Sequence, residues 1–161
     1  PKVQPLDLLL ARFIFELSSS LLSFSLFCLI GIWFGIQLSF GYLHILLSAF
    51  IITWLIGSGL GLMMSVAAAH FQSVEKIVAF VKRPLVFLSC VLYPLFNLPH
   101  VAQRILLWNP LVHTIELSRK SLFPLYHVEN VNLAYPAACA IVFFSVGICA
   151  FHNHRHFLTQ R

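Results

Sequence analysis

Three long stretches of this chain carry no charged residue, and nothing else in the sequence restricts its fold so severely. They cover residues 17–37, 43–69 and 131–151, which are 21, 27 and 21 residues long. About 20 apolar residues in a helix cross roughly 30 Å of hydrocarbon, so each stretch is long enough to span a bilayer. Inside lipid the backbone must satisfy its own hydrogen bonds, so such segments are helices. A fourth apolar stretch, 77–98, inside an expected span over 74–98, is interrupted early by Lys82, Arg83 and Pro84. It reads as a further span whose two cations snorkel to the headgroups or face a wet cavity. The sequence thus predicts an all-α integral membrane bundle of four transmembrane helices, forming one domain over 1–161.

Composition agrees. Of the 161 residues 60% are hydrophobic and 9% charged, with mean hydropathy +0.91, whereas a soluble domain keeps roughly a quarter of its residues charged. The net charge of +5 is a matter of placement. With four crossings, Lys2, Arg12, Lys76, Lys82, Arg83, Arg155 and Arg161 share the side of the termini, and Arg104, Arg119 and Lys120 the other. The excess of basic residues places the termini in the cytoplasm, and nucleic-acid binding is not needed to explain the charge. Cys28, Cys90, Cys139 and Cys149 fall singly in apolar surroundings without CxxC spacing, as buried thiols rather than a disulfide framework. The start, "PKVQPLDLLLAR", lacks the pattern of a cleavable signal peptide. Residues 1–16 place Leu6, Leu9, Leu10 and Phe13 on one helical face. That fits either a helix lying in the cytoplasmic interface or a polar start to the first span. The tail, 152–161, is basic and reads as cytoplasmic.

Between the third and last spans the pattern breaks. Pro99 and Pro110 each suit a first helical position, and Asn109 is a favoured N-cap. Two short helices follow, about 99–108 and 110–122, neither long enough to cross. Val101, Ile105 and Trp108 line one face of the first; Leu111, Ile115 and Leu122 line one face of the second. Glu116 is placed to pair with Arg119 or Lys120. Such a pair either dips into the bilayer as a pore lid or rests on the outer headgroups. Glycines four apart, Gly31 with Gly35 and Gly57 with Gly61, suit close helix packing. Phe13, Phe15, Trp33, Trp54, Tyr93 and Phe96 are candidates to line a path for a sugar polymer, because aromatic faces stack on sugar rings; the alternative is contact with lipid. His113 and Glu116 form an HxxE without a second ligand motif, so no metal site is assigned. No nucleophile–base order and no phosphate loop is present, so no catalytic residue is assigned.

"PLDLLLAR" at 5–12, "FLSCVLYPLFNLP" at 87–99 and "LLWNPLVHTIELSRKSLF" at 106–123, followed by one span and a basic tail, resemble the permease subunit of ABC-2 type exporters. The nearest branch exports capsular polysaccharide and O-antigen in Gram-negative bacteria. The matching positions are Ser89, Tyr93, Pro94, Leu98, Pro99, Asn109, Pro110, Leu111, Glu116 and Arg119; Cys90 stands where that pattern often has Gly. The resemblance implies that 99–123 are two periplasmic gate helices with Pro99, Asn109, Pro110, Glu116 and Arg119 as the gate motif. It implies a bacterial inner-membrane permease that is not itself an enzyme. No cofactor is expected in this chain; ATP and Mg belong to a partner ATPase subunit. The implied partners are a second permease copy, periplasmic and outer-membrane capsule export proteins, the polysaccharide and lipid. Export of O-antigen, teichoic-type polymer, lipid or drug is the alternative within transport, and a tetraspan enzyme or scaffold the alternative outside it. Family permeases have six spans, so this chain corresponds to the last four, without the segment that docks on the ATPase.

Overall fold

A computed structural model describes residues 5–39, 41–71, 73–123, 125–127 and 130–158, with the side chains of 5–9, 75 and 154–158 excluded. The described residues form six α-helices: α1 (Pro5–Trp33), α2 (Leu43–His70), α3 (Ser73–Leu88), α4 (His100–Leu106), α5 (Pro110–Leu122) and α6 (Ala134–Leu158). A single 3-10 turn covers Leu95–Asn97. Three helices are long and apolar enough to cross a membrane, over Leu10–Trp33, Leu43–His70 and Ala134–Asn153.

The first expected boundary shifts at both ends. No break separates an interfacial segment at 1–16 from the first span, because α1 is continuous from Pro5. Its polar pair, Arg12 and Glu16, lies on the helix surface as an exposed i,i+4 ion pair at 3.1 Å. The helix then stops at Trp33 instead of Gln37. The Ile36 N–H donates to the Gly31 carbonyl and the Gly35 N–H to that of Ile32, while Gly35 takes a φ of +77°. This is a Schellman stop, which satisfies the last carbonyls and needs a left-handed residue after the helix. Gly35 therefore ends α1, and the expected Gly31–Gly35 packing pair is not formed within the chain.

α2 is the hub. Its Leu46, Ala49, Ile56, Leu62 and Val66 are buried, with Ala140 of α6 and Val112 and Leu117 of α5. The α2–α6 crossing is set by two glycines the four-residue spacing did not single out. A Cβ on Gly59 would lie 2.6 Å from the backbone of Phe143 and Phe144, and one on Gly147 would lie 2.6 Å from the Gly59 carbonyl oxygen. Over Gly57 and Gly61 the space is open. The close approach runs through the middle glycine of "GSGLG" and its partner on α6, where dispersion between backbones drives association in lipid.

The expected span at 74–98 is only partly helical. α3 has 16 residues, about 24 Å, and continues through Pro84. It ends at Leu88, and the chain turns back through Ser89 and Cys90. Cys90 is buried with a φ of +56°, a conformation that costs a residue with a Cβ about 1–2 kcal/mol. The position where the family pattern often has Gly is thus one whose backbone asks for it. α4 and α5 have 7 and 13 residues, about 10 and 20 Å, and neither can cross.

Candidate functional site

The broken stretch is organised by side chains of α5. Pro110 occupies its first turn, and Asn109 is the N-cap, its Oδ1 accepting from the Leu111 N–H at 3.0 Å. The Asn109 amide then donates to the Leu88 carbonyl at 3.1 Å and to Ser89 Oγ at 3.2 Å. One residue thus caps the start of α5 and captures a free carbonyl at the end of α3, two sets of groups that helix ends leave unsatisfied. Pro99 differs from its expected role: it is the residue before α4, which begins at His100.

About two turns along α5 from Asn109, the Glu116 carboxylate is buried and its two oxygens accept three hydrogen bonds. Oε1 accepts from Arg119 Nη1 at 2.8 Å and from the Leu95 N–H at 3.1 Å; Oε2 accepts from the Tyr126 hydroxyl at 2.6 Å. Arg119 continues the network, donating to the carbonyls of Tyr93 at 3.0 Å and Val91 at 2.6 Å. The expected Glu116–Arg119 pair therefore forms, and Lys120 is left exposed. Its setting is different from a surface i,i+3 pair. Glu116 is 1% exposed, where an unpaired charge is costly and a fully bonded one is held in a single geometry. Together Asn109, Glu116 and Arg119 fasten the whole turn 88–95 onto α5. The Tyr93 hydroxyl donates to the Phe87 carbonyl at 2.6 Å and tightens the same turn.

Tyr126 was not among the sequence candidates. It lies in a loop, so no helical or strand periodicity marks it, and only the tertiary structure brings its hydroxyl to Glu116. Burial first, and then the hydrogen bond to the Glu116 carboxylate, push its phenol well above the ordinary tyrosine range. Thr53 of α2 donates to Thr114 of α5 at 2.8 Å, and the Ser39 N–H to the Leu122 carbonyl at 2.8 Å, tying α5 to the membrane-crossing part.

The aromatic candidates do not form one surface. Phe13 meets Trp54 edge-on at 5.7 Å and Phe144 at 6.3 Å. Phe15 and Trp54 line a cleft of about 270 Å³ between α1 and α2, with Glu16, Ser19, Ser20, Gly57 and Ser58. Phe96 packs on Tyr126 at 5.6 Å, whereas Tyr93 packs against the core of Cys90, Leu95 and Val112. Trp33 stands apart, highly exposed, with Phe34 as its ring neighbour. Neither group of the HxxE is available to a metal: both oxygens of Glu116 are engaged, and both ring nitrogens of His113 contact backbone, Nε2 at the Leu107 carbonyl and Nδ1 at the Asn132 N–H. Among the described residues no three His, Cys, Asp or Glu side chains cluster. The side chains of His154 and His156 lie outside the described residues.

The bundle is apolar, and its buried charged pair, Glu116 with Arg119, fastens the turn 88–95 to the short helix α5. The chain belongs to the ABC-2 type transporter family, whose model matches residues 2–123. Among individual proteins it is similar to two polysialic acid transport proteins (KpsM) of Escherichia coli, each 32% identical over 159 residues, 94% of this chain and 58% of theirs. It is also similar to the capsule polysaccharide export inner-membrane protein CtrC of Neisseria meningitidis serogroup A, 28% identical over 152 residues, 91% of this chain and 55% of that protein. The chain spans a little over half the length of these relatives. All three are named as transport or export proteins.

Proposed function

We propose that this chain is the permease portion of an ABC exporter that moves capsular polysaccharide across the bacterial inner membrane. Its likeness to proteins named for polysialic acid transport and capsule polysaccharide export supports the substrate class. The carrying observation in the chain itself is the Asn109–Glu116–Arg119 network, which makes the turn 88–95 and α5 one body. Such a body opens and closes a mouth by moving as a unit against α2. In this reading two permease copies enclose the polymer path, and the short-helix pair closes its periplasmic end. A separate ATPase subunit holds ATP and Mg, and periplasmic and outer-membrane export proteins take over the polymer. The Ser73–Leu88 helix and the turn after it make the fourth crossing, which returns both termini to the cytoplasm.

Deleting the gene is expected to leave capsule inside the cytoplasm; normal surface capsule in the deletion strain overturns the proposal. An ATPase subunit is expected to co-purify with the permease. Reporters fused at the two ends test topology, with cytoplasmic signals expected from both, and a periplasmic C-terminus would reduce the crossings to three. For the gate, Asn109→Ala together with Pro110→Ala is expected to make vesicles leaky to small solutes, and an unchanged, tight bilayer counts against it.

A further inference from the structure

One singled-out residue has no part in that network. His113 is 5% exposed and uses both ring nitrogens: Nε2 sits 2.9 Å from the Leu107 carbonyl, and Nδ1 is 3.3 Å from the Asn132 backbone nitrogen. A carbonyl only accepts and an N–H only donates, so the ring is neutral, with its proton on Nε2. Its edge meets Tyr135 of α6 at 5.3 Å, and the Tyr135 hydroxyl donates to the Trp108 carbonyl at 2.6 Å. Asn132 in turn accepts from the Tyr135 N–H at 3.2 Å, at the start of α6. His113 therefore joins three pieces: the α4–α5 corner, α5 itself, and the segment that begins α6.

We infer that His113 is a proton-operated clasp, which holds the start of α6 to the α4–α5 corner when neutral and releases it when a second proton binds Nδ1. Imidazole ordinarily titrates between about pH 5 and 8. The protonated ring carries donors on both nitrogens, so Nδ1–H would face the Asn132 N–H, and the bond between them is lost. Turning the ring gives no escape, because the Leu107 carbonyl occupies the other nitrogen and the Tyr135 ring packs against the imidazole at 5.3 Å. The surrounding charges do not replace that bond. On α5 the next acid, Glu116, is already bonded to Arg119, Tyr126 and the Leu95 N–H. α4 carries His100 and Arg104, whose charge opposes a further cation; α6 brings Tyr135 and Cys139; α2 has titratable groups only at His44 and His70, at its ends. The segment before α6 carries Tyr126, His127 and Glu129, the last outside the described residues. The clasp is a local property of the fold, so its failure would leave the export reading standing.

The test is backbone hydrogen exchange of the full chain in lipid nanodiscs at pH 7.5 and 5.5, each rate divided by that of a free amide at the same pH. Protection at the Asn132 amide is expected to fall about tenfold at pH 5.5, with the α2 core unchanged. His113→Gln, which keeps a donor and an acceptor but no titration, is expected to make that protection independent of pH. Equal protection at both pH values in the native chain, or the same loss in the glutamine variant, overturns the clasp. Where the variant fails to fold, ¹⁵N-histidine spectra of the native chain decide instead. A His113 ring that stays neutral to pH 5.5, or that gains its second proton with Asn132 still protected, overturns it equally.

Discussion

α1 and the α5 region solve the same problem in opposite ways. α1 is 29 residues long and turns Phe15, Leu22, Phe27 and Trp33 outward, each more than 70% exposed. Its polar side chains settle their needs locally: Ser18, Ser23 and Ser25 donate to carbonyls four residues back, and Arg12 pairs with Glu16. Apart from ring contacts such as Phe13 with Trp54, its outward face needs only an apolar solvent. α5 is 13 residues long and buries Thr114, Glu116 and Ser121, with Glu116 bonded to groups up to 21 residues away in sequence. One helix is stabilised by its solvent, the other by its partners. Substitutions should therefore be cheap in the first and expensive in the second.

The sharpest break in that contrast is Glu116→Ala. It strips the carboxylate from Arg119, Tyr126 and the Leu95 N–H, and removing one partner of a buried pair costs about 3–5 kcal/mol. Thermal unfolding in detergent is expected to show a fall of several degrees, and Phe27→Ala on α1 is expected to leave the midpoint nearly unchanged. Gly59→Ala comes next. Its Cβ meets backbone at 2.6 Å, so α2 and α6 must separate, with a loss of roughly 1–3 kcal/mol; Gly57→Ala, into open space, is the matched control. Equal effects at the two glycines would mean that the helices cross elsewhere.

Tyr126→Phe removes a hydrogen bond to a buried carboxylate, also roughly 1.5–3 kcal/mol, and it carries a pH signature. The phenol is raised in the folded chain, so the unfolded chain loses its proton first. Stability from this group is full below about pH 10 and drains away as pH rises beyond that. The phenylalanine variant is expected to lack this alkaline decline, and an identical decline in both proteins would assign it to other groups. The smallest effect is Asn109→Ala, which removes a cap and the bonds to Leu88 and Ser89, about 1–2 kcal/mol, read as faster proteolysis at the turn 88–95.

Periodicity and length were enough to place three of the long helices, and the Asn109-Pro110 restart was legible because capping is local chemistry. The Glu116–Arg119 pair was legible as a spacing, but its worth was not: an i,i+3 pair looks the same on paper whether wet or buried. Tyr126 and the His113–Asn132 contact were invisible, since both join a helix to a loop far along the chain. The glycines show the same limit. Spacing favoured Gly57 and Gly61, whereas Gly59 and Gly147 meet at the crossing and Gly35 ends a helix.

What the residue order decided alone was the solvent. Runs of some twenty uncharged residues belong in hydrocarbon whatever their neighbours do, because the cost of burying an unsatisfied backbone leaves only the helix. What the tertiary structure decided was where polar groups survive inside that apolar chain. A carboxylate, an imidazole and a phenol are tolerated only when particular distant atoms satisfy them, and no local pattern records which atoms those are.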